Sequence, residues 1–474
     1  MVLEQHSRFG GCLQTFKRDN YTFDTGLHYF GSMAQGEVLY KYWKYAGLTD
    51  HLALIQMDPD KFDIISFPDA EYPLAQGFEN FRAQLIPYFP KEERALKCYT
   101  EKLQEIAASH PLYHLEVPSN KAKGHFHNMK ALDFLNALSP IPVKGMIGNR
   151  VLADVLAGNN FLCGGTPDSI SLHQFGLINH SFISSAWRPA GGSQQIADLL
   201  VKNIDANGGS VKACKKVIKI EKKGNIFCIN SADGDQFQAS QVISDIHPVS
   251  TLSLLKGIPV SKAYRERIQS LRNTTSVFML FLGLKPEAFP YMNHNIYHHN
   301  TPDVWSSCVS GAASWPGHFL FMTPPEKNQD LYASTAIVMT TMRFDEVSKW
   351  KDTSCGNRGG DYYKFKSILT EKLLTQVYGK FPQLKKAIQC IYAATPLTWR
   401  DYTGTPEGSM YGIRKEVDDP VKTLILPKTK VPGLFLTGQS VNLHGALGVT
   451  IGAVMTCAEL LGMKHLIHKI RNGI

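Results

Sequence analysis

The sequence has 474 residues, of which 43% are hydrophobic and 19% are charged, and this composition excludes a disordered, a collagen-like and a disulfide-stapled chain. A chain of this length is too long for one simple core, so we expect two closely packed domains. The formal charge of +9 is spread in short groups of lysines, with no arginine-rich run interleaved with aromatic residues. This pattern argues against a nucleic-acid partner and leaves two alternatives, a solvated surface or a basic face against anionic lipid headgroups.

Cysteine usage and the apolar segments bear on the compartment. The nine cysteines are odd in number and form no C-x-x-C pair, which argues against a zinc site or a redox dithiol and predicts reduced thiols. The first residues lack the basic and apolar regions of a signal peptide. The most apolar segment, Gly445 to Met463, contains internal glycines and Glu459, so we expect a buried helix there rather than a membrane span. Together these features predict a cytoplasmic protein or one on the cytoplasmic face of a membrane.

The N-terminus has the pattern that ends the second strand of a dinucleotide-binding fold. An apolar run ends at Glu4, and Arg8 and Gly10-Gly11 follow. An acid at this position accepts hydrogen bonds from the adenosine ribose and normally lies about 20 residues after a G-x-G-x-x-G loop. Only three residues precede Glu4. We therefore expect the first strand, the glycine loop and the first helix to be missing from this sequence and to be encoded by an in-frame upstream extension.

The next elements in chain order are a short extended segment and a helical region. Thr22 to Tyr29 is typical of an extended segment that runs into a turn. Apolar residues recur every three or four positions between residues 91 and 156, which predicts helices. One helix is expected around Leu132 to Leu138, ended by Pro140 and Pro142.

Residues 187–248 predict a loop, a helix and a β-meander. The loop is Arg188 to Gly192, and Ser193 is placed to cap a helix that ends at Asn207-Gly208-Gly209. Strands are expected at 211, 217–220, 226–229 and 242–243. Such a unit is a common insertion in flavin-binding Rossmann domains, where the strand around Val217 would offer backbone groups to adenine. The alternative is a hairpin that only packs.

The C-terminal half predicts a second sheet and a glycine-rich helix. Residues 274–284 and 331–342 are β-rich, a helix is expected over 361–378, and residues 433–438 form an apolar strand before a helix near Gly445. Gly445, Gly448 and Gly452 share one helical face, where each glycine costs up to about 1 kcal/mol relative to alanine. Two explanations stay open, tight helix packing or a flavin ring against the positive end of the helix.

Taken in order and spacing, these segments resemble the phytoene-desaturase and carotenoid-isomerase family of flavoproteins, and within it the retinol-saturase branch. The likeness spans nearly the whole chain. The motifs that carry it are Val2-Leu3-Glu4-Gln5-His6, Gly10-Gly11-Cys12, Thr15-Phe16, Phe23-Asp24-Thr25-Gly26-Leu27-His28-Tyr29, Gly164-Gly165-Thr166-Pro167, Pro189 to Gly192, Gly360-Asp361-Tyr362, Phe381-Pro382-Gln383-Leu384, Thr395-Pro396-Leu397-Thr398, Gly408-Ser409-Met410-Tyr411-Gly412, Leu436-Thr437-Gly438-Gln439 and Gly445-Ala446. Two departures are the absent glycine loop and Ser440, where retinol saturases have an acid after Thr-Gly-Gln.

The resemblance implies an α/β fold with a Rossmann-type FAD-binding domain and a second domain of a sheet and helices that binds substrate. The expected FAD-binding domain comprises residues 1–70, 186–255 and 400–474, and the expected substrate domain comprises residues 71–185 and 256–399. FAD is the implied cofactor, with NAD(P)H as a candidate electron donor and a hydrophobic isoprenoid polyene as substrate. The residues implied to contact FAD are Glu4, Arg8, Gly10, Gly11, Val217, Gly438, Gln439, Gly445 and Ala446.

Three functions remain open at this point. The first is saturation of one double bond of a polyene such as all-trans-retinol, in which flavin delivers hydride to one carbon and a proton reaches its neighbour. The second is a carotenoid desaturase or cis-trans isomerase, and the third is an inactive homologue. Candidate proton donors are Tyr411, Tyr402 and His28, for each of which an ordinary structural role is the alternative.

A metal site and a serine hydrolase are both disfavoured. His125 and His127, and likewise the group His294, His298 and His299, have no acid or cysteine at ligand spacing. No G-x-S-x-G elbow occurs in the sequence.

Overall fold

The computed structural model describes residues 1–118, 129–137, 148–166, 169–305, 315–328 and 331–473. Several residues that entered the sequence-based predictions lie outside these ranges, namely His125, His127, Leu138, Pro140, Pro142 and Pro167.

The secondary structure alternates between short strands and helices along the chain. The strands are β1 (Val2–Leu3), β2 (Thr15–Arg18), β3 (Tyr21–Asp24), β4 (Phe30–Gly31), β5 (Leu54–Gln56), β6 (Asp63–Ser66), β7 (Glu71–Leu74), β8 (Ala186–Pro189), β9 (Val211–Lys212), β10 (Val217–Lys223), β11 (Ile226–Ser231), β12 (Gln236–Ala239), β13 (Val242–Ser244), β14 (Ser276–Leu284), β15 (Asn295–His299), β16 (His318–Met322), β17 (Thr335–Met342), β18 (Ile388–Ala394) and β19 (Leu434–Leu436). The helices are α1 (Val38–Tyr45), α2 (Phe78–Leu85), α3 (Glu93–Ala108), α4 (Ala131–Ala137), α5 (Gly148–Leu156), α6 (Leu172–Ser184), α7 (Gln194–Ala206), α8 (Pro248–Leu254), α9 (Lys262–Gln269), α10 (Gly360–Lys380), α11 (Leu384–Ala387), α12 (Pro396–Thr403), α13 (Pro420–Thr423), α14 (Gly445–Leu461) and α15 (Met463–Asn472).

Two parallel strand pairs form the α/β part of the fold. Strand β1 pairs with β9, with Val2 opposite Val211, and β13 pairs with β19, with Ser244 opposite Leu436. Parallel neighbours need long crossover connections, and helices lie in both crossovers, as in an α/β fold. The predicted fold class is confirmed.

The helix and meander predicted over residues 187–248 are present as α7 and the antiparallel sheet β10-β11-β12. One local detail differs from the prediction. Ser193 occupies the N-cap position of α7, but its hydroxyl makes no capping bond. That hydroxyl donates instead to the backbone oxygen of Leu13 and to a carboxylate oxygen of Asp24, and so ties the start of α7 to the N-terminal segment.

A seven-stranded sheet, in the order β18-β14-β17-β16-β15-β6-β7, forms the second layer. All its pairs are antiparallel except β15 with β6. Every residue of β14 is buried, which explains why its sequence is one apolar run rather than an alternating one. Val277, Met279 and Phe281 face one core, whereas Phe278 and Leu280 face another that helix α10 covers. The sheet therefore separates two cores.

The boundary expected near residue 70 falls between two paired strands. Strand β6 pairs with β15 on one side and with β7, which begins at Glu71, on the other. The N-terminal segment thus enters the larger sheet. Helix α14 buries Leu447 and Ile451 in the first core, in keeping with the predicted buried helix. Within the described ranges, none of the helices has both the length and the apolar character that crossing a bilayer requires.

Candidate functional site

A small cavity of about 10 Å³ lies beside the loop that joins strand β19 to helix α14. A cavity of this volume holds about one water molecule. Its walls come from segments far apart in sequence. The lining includes Cys163, Gln174, Thr274, Ile413, Lys415, Gln439 and His444.

The loop after β19 supplies one wall of the cavity. Gly438 has φ +89°, and a Cβ there would meet the backbone oxygen of Asp245 at 3.0 Å, so the turn requires glycine. The hydroxyl of Thr437 is buried with no hydrogen-bond partner among the described residues. Gln439 lines the cavity directly. Of the two residues predicted here as cofactor contacts, Gln439 therefore lines the cavity, and Gly438 forms the turn that precedes it.

The glycines at the start of α14 differ in their surroundings. A Cβ on Gly448 would meet the Cβ of Leu443 at 2.7 Å, so close packing accounts for that glycine. Gly445 has φ +77° and no atom within 4 Å of the position a Cβ would take. Packing therefore explains Gly448 but leaves the face of Gly445 open, where backbone N–H groups and the helix dipole favour an anion. Ala446 follows in the first turn, partly buried against the core.

Glu4 and Val217 lie close together at the N-terminal strand. The Glu4 carboxylate accepts a hydrogen bond from the backbone N–H of His6 at 2.8 Å. The Glu4 backbone oxygen accepts another from Lys215, at 2.7 Å, two residues before β10 begins at Val217. The fold thus brings together the two residues predicted to contact the adenosine part of FAD.

Arg8, Gly10 and Gly11 form the turn that follows β1. The Arg8 guanidinium donates to the backbone oxygen of Thr15 at 2.8 Å. A Cβ on Gly10 would meet that of Ala197 in α7 at 2.7 Å, whereas the space beside Gly11 is open. These residues, like Glu4 and Val217, are not part of the lining of the cavity beside Gln439. The predicted contacts therefore fall into two groups, one beside the cavity and one at the N-terminal strand.

Tyr411 belongs to the cavity end. Its ring stacks on that of His444 with centroids 3.9 Å apart, and a Cβ on Gly164 would collide with it. The His444 ring pairs with the backbone oxygen of Leu162 at 2.7 Å. Burial lowers the pKa of His444 to about 4 and raises that of Tyr411, so at neutral pH both rings are uncharged.

A fully buried polar network links the N-terminal segment to strand β8 and to the seven-stranded sheet. Arg188 donates to the amide oxygen of Asn295 at 2.6 Å, and the amide nitrogen of Asn295 donates to Asp63 at 2.8 Å. Tyr29 donates to Asp63 at 3.3 Å and lies 2.5 Å from the hydroxyl of Tyr297. Burial raises the pKa of Asp63 to about 7 despite these bonds. The network joins strand β8 to the seven-stranded sheet.

The two remaining proton-donor candidates differ in position. Both ring nitrogens of His28 are buried and have no hydrogen-bond partner among the described residues. Burial, and then the charge of Arg188, lower the pKa of His28 to about 4, so its ring is neutral at neutral pH. Tyr402 is 49% exposed, is no part of the cavity lining and has its hydroxyl 3.7 Å from the sulfur of Cys355.

Lys415 is a cavity residue that the sequence reasoning missed. Its ammonium donates to the backbone oxygens of Ser440 at 2.9 Å and Val441 at 3.2 Å. Burial lowers the pKa of Lys415 to about 7. The sequence offered one clue to Lys415, its position three residues after the Gly408 to Gly412 motif. That position does not show that the side chain is buried, because nothing in the sequence distinguishes Lys415 from the exposed lysines.

The described residues fit a bound flavin nucleotide. A buried polar atom without a partner costs about 1–3 kcal/mol, and the Thr437 hydroxyl and the His28 ring are such groups. A ligand with hydrogen-bonding edges would satisfy them. Gly11 and Gly445 have positive φ, and the space where a Cβ would lie is open at both residues. A ligand could therefore approach the backbone closely at these two glycines. The N-terminus of α14 would hold the ring's negative charge, and Glu4 would accept from the ribose.

The histidines considered as metal ligands have other surroundings. His298 pairs with the hydroxyl of Ser66 at 3.1 Å, and His299 with the backbone oxygen of Gly158 at 2.8 Å. Burial lowers the pKa of His294 to about 4. Within the described ranges, no three His, Cys, Asp or Glu side chains are grouped to hold a metal ion.

The parallel strand pairs and the helix N-terminus that faces open space at Gly445 define the class as an α/β protein with the features of a nucleotide-cofactor site. The sequence model of the flavin-containing amine oxidoreductase family matches residues 1–349, and the chain belongs to that family. It is an FAD-dependent oxidoreductase, and the resemblance drawn from the motifs is confirmed.

The individual relatives include retinol reductases and a carotenoid isomerase. All-trans-retinol 13,14-reductase of Danio rerio is 25% identical over 98% of this chain and 82% of its own length. An inactive all-trans-retinol 13,14-reductase of the same organism is 21% identical over 97% of this chain and 81% of its own length. Prolycopene isomerase 2 of an Oncidium hybrid cultivar is 22% identical over 97% of this chain and 79% of its own length. Among solved structures, an oxidoreductase from Methanosarcina mazei shares the fold with a TM-score of 0.60 at 13% identity, covering 97% of this chain and 93% of that one.

Proposed function

We propose that the protein reduces one double bond of a conjugated isoprenoid polyene of the all-trans-retinol type, with FAD as cofactor. The observation that carries this proposal is the likeness to a retinol 13,14-reductase over 98% of the chain.

FAD, when bound, supplies hydride chemistry to the site. The protein's own residues bind and orient it: Glu4 and the start of β10 hold the adenosine end, and Gly438 with the start of α14 holds the ring end. Tyr411 and His444 are uncharged at neutral pH and stack on each other, so together they present an uncharged aromatic surface near the start of α14. The polyene, which has no hydrogen-bonding groups along its chain, would be selected by shape and apolar contact.

The test starts from the full chain reconstituted with FAD and reduced without oxygen. All-trans-retinol is added, and the product is examined by mass spectrometry while flavin reoxidation is followed by absorbance. A saturase gives a product two hydrogens heavier and reoxidises one flavin for each polyene. A protein that binds no FAD, or whose reduced flavin leaves the polyene unchanged, overturns the proposal.

An isomerase is the second candidate, because the similarity to a prolycopene isomerase covers 97% of the chain. The same experiment separates the two functions. An isomerase changes the geometry of a cis-carotenoid, such as a prolycopene-type substrate, with no change in mass and with the flavin still reduced, because isomerisation consumes no electrons.

Two finer points belong to this proposal. We propose NAD(P)H as the electron donor, supported by the resemblance described above and tested by whether NADH or NADPH reduces the bound flavin. We also propose a cytoplasmic protein that contacts a membrane surface peripherally. Val421, Leu424 and Leu426 support this, because they are 78%, 53% and 57% exposed beside Lys422 and Lys428. Sedimentation with vesicles that contain anionic lipid, and its loss with neutral vesicles, tests the contact.

A further inference from the structure

The C-terminal helix α15 (Met463–Asn472) has one buried face and one exposed face. Its three buried residues, Leu466, Ile467 and Ile470, are at most 6% exposed and pack into the first core. Because successive residues are about 100° apart around a helix, the exposed positions form one continuous arc. This arc consists of basic residues and one asparagine, namely Lys464, His465, His468, Lys469, Arg471 and Asn472. The helix therefore presents a basic face, about 15 Å long, to the solvent.

The permanent charges of this face have no counter-charge within the described ranges. In that part of the chain, Lys464, Lys469 and Arg471 form no ion pair with a carboxylate. By contrast, Lys44 of the neighbouring helix α1 is paired with Asp50 at 2.5 Å. The positive charge of α15 is therefore available to an anionic partner outside the molecule.

The stability of the helix does not explain why all the charges have one sign. Lys469 and Arg471 lie in the last turn, where the negative end of the helix dipole favours cations. Lys464 lies at the opposite end, where a cation is unfavourable. The first turn has no acidic residue, and Gly462 at the N-cap provides no side-chain cap. A helix end built for stability alone would have an acid or a capping residue there, so the basic face points to a role in binding.

Two exposed apolar side chains lie at the ends of the basic face. Leu461, the last residue of α14, is 58% exposed and comes just before α15. Tyr45 of α1 is 41% exposed and lies at the other end, because a Cβ on Gly473 would meet its ring at 2.9 Å. Basic side chains with apolar groups beside them are typical of a helix that lies on a bilayer, where the cations meet anionic headgroups and the apolar groups enter the headgroup region.

We infer that α15 docks the protein on a bilayer that contains anionic lipid, with Lys464, Lys469 and Arg471 against the headgroups. This inference rests on the membrane contact proposed above and deepens it, because it names the element that makes the contact depend on lipid charge. An apolar polyene partitions into bilayers rather than into water. An enzyme that lies on the bilayer surface therefore meets such a substrate where the substrate is concentrated.

The test measures how the full chain sediments with vesicles of phosphatidylcholine and phosphatidylserine. Each basic residue near an anionic surface strengthens binding about five-fold, so the triple variant K464Q/K469Q/R471Q should bind about 100-fold more weakly than the wild type. Binding of the wild type should also fall as salt rises from about 0.1 to 1 M, because the Debye length shrinks from about 10 to 3 Å. All three substituted positions are exposed, so the Tm of the variant should stay close to that of the wild type.

The control variant K364Q/K372Q/K385Q removes the same net charge from other exposed helix positions. These lysines belong to α10 and α11, which pack on the other core, across the seven-stranded sheet from α15. The control should bind the vesicles like the wild type. A control that loses as much binding as the α15 variant overturns the inference, because net charge would then explain the effect.

Three other outcomes also overturn the inference. If the α15 variant binds like the wild type, the membrane contact is left to the segment around Val421. If the wild type binds no vesicles, the proposed membrane contact fails as well, whereas the polyene reaction is judged separately by flavin reoxidation. If the wild type binds an RNA oligonucleotide more tightly than the vesicles at equal ionic strength, the basic face belongs to a nucleic-acid partner.

Discussion

Replacement of Gly445 by alanine tests directly whether a flavin lies against the start of α14. Gly445 has φ +77°, and a methyl group there would meet no protein atom within 4 Å. In the protein alone, G445A therefore costs only the strain of a left-handed backbone, about 1–2 kcal/mol. In the FAD complex the same methyl group would stand where the ligand approaches the helix.

The size of the effect on binding follows from that difference. The backbone strain is the same with and without FAD, so it cancels from the dissociation constant. Forcing a methyl group into a filled site costs about 1–3 kcal/mol, which is about a 5- to 150-fold weaker binding of FAD. Gly208 is a matched control, because it has φ +76°, is equally open and lies at the exposed end of α7.

The assay titrates the flavin-free protein with FAD and measures Kd by the quenching of flavin fluorescence. G445A and G208A should melt at similarly reduced temperatures, whereas only G445A should bind FAD more weakly. Equal Kd values for G445A, G208A and the wild type would refute the placement of the cofactor at this helix.

Two further predictions concern the buried network. R188M leaves the amide oxygen of Asn295 and the backbone oxygens of Met292 and Thr323 without their donor. We therefore expect a loss of about 3–5 kcal/mol in the free energy of unfolding, seen as a lower Tm in a thermal melt, and an unchanged Tm would contradict this. Burial raises the pKa of Asp63 from 3.8 to about 7, so the stability contributed by its neutral form is present below pH 3.8 and is lost as pH rises through about 7. Tm measured across this pH range should fall less steeply in D63N than in the wild type, and parallel curves would show that Asp63 does not titrate there.

Much of the fold was predictable because local patterns match local structure. The helix expected over residues 361–378 is present as Gly360–Lys380, and the β-rich runs at 274–284 and 331–342 became β14 and β17. Glycines at turns could be predicted from the sequence because a positive φ disfavours most other residues. Ser193 shows the limit of this reasoning, since its place before a helix was right but its hydroxyl bonds to Asp24 of a distant strand.

The site was less predictable because its contacts depend on pairing between distant segments. Gly438, Gln439 and Gly445 followed from their motif, but nothing near Lys415 in the sequence indicates that it faces a cavity. Likewise, Asp63 and Asn295 are 232 positions apart and meet only because β6 and β15 pair in parallel. Whether a charged residue is buried, and next to what, is decided by such long-range pairing.

The parallel pairing of β6 with β15 affects how the protein can fold while it is being synthesised on the ribosome. Residues 63–66 cannot find their partners at 295–298 until more than half of the chain has been made. Strand β1 likewise waits for Val211. Because loop closure over such distances is slow, the nascent chain holds unpaired, apolar strand edges during much of translation. Efficient production of this enzyme in cells should therefore depend on chaperones that shield those edges until the later strands emerge.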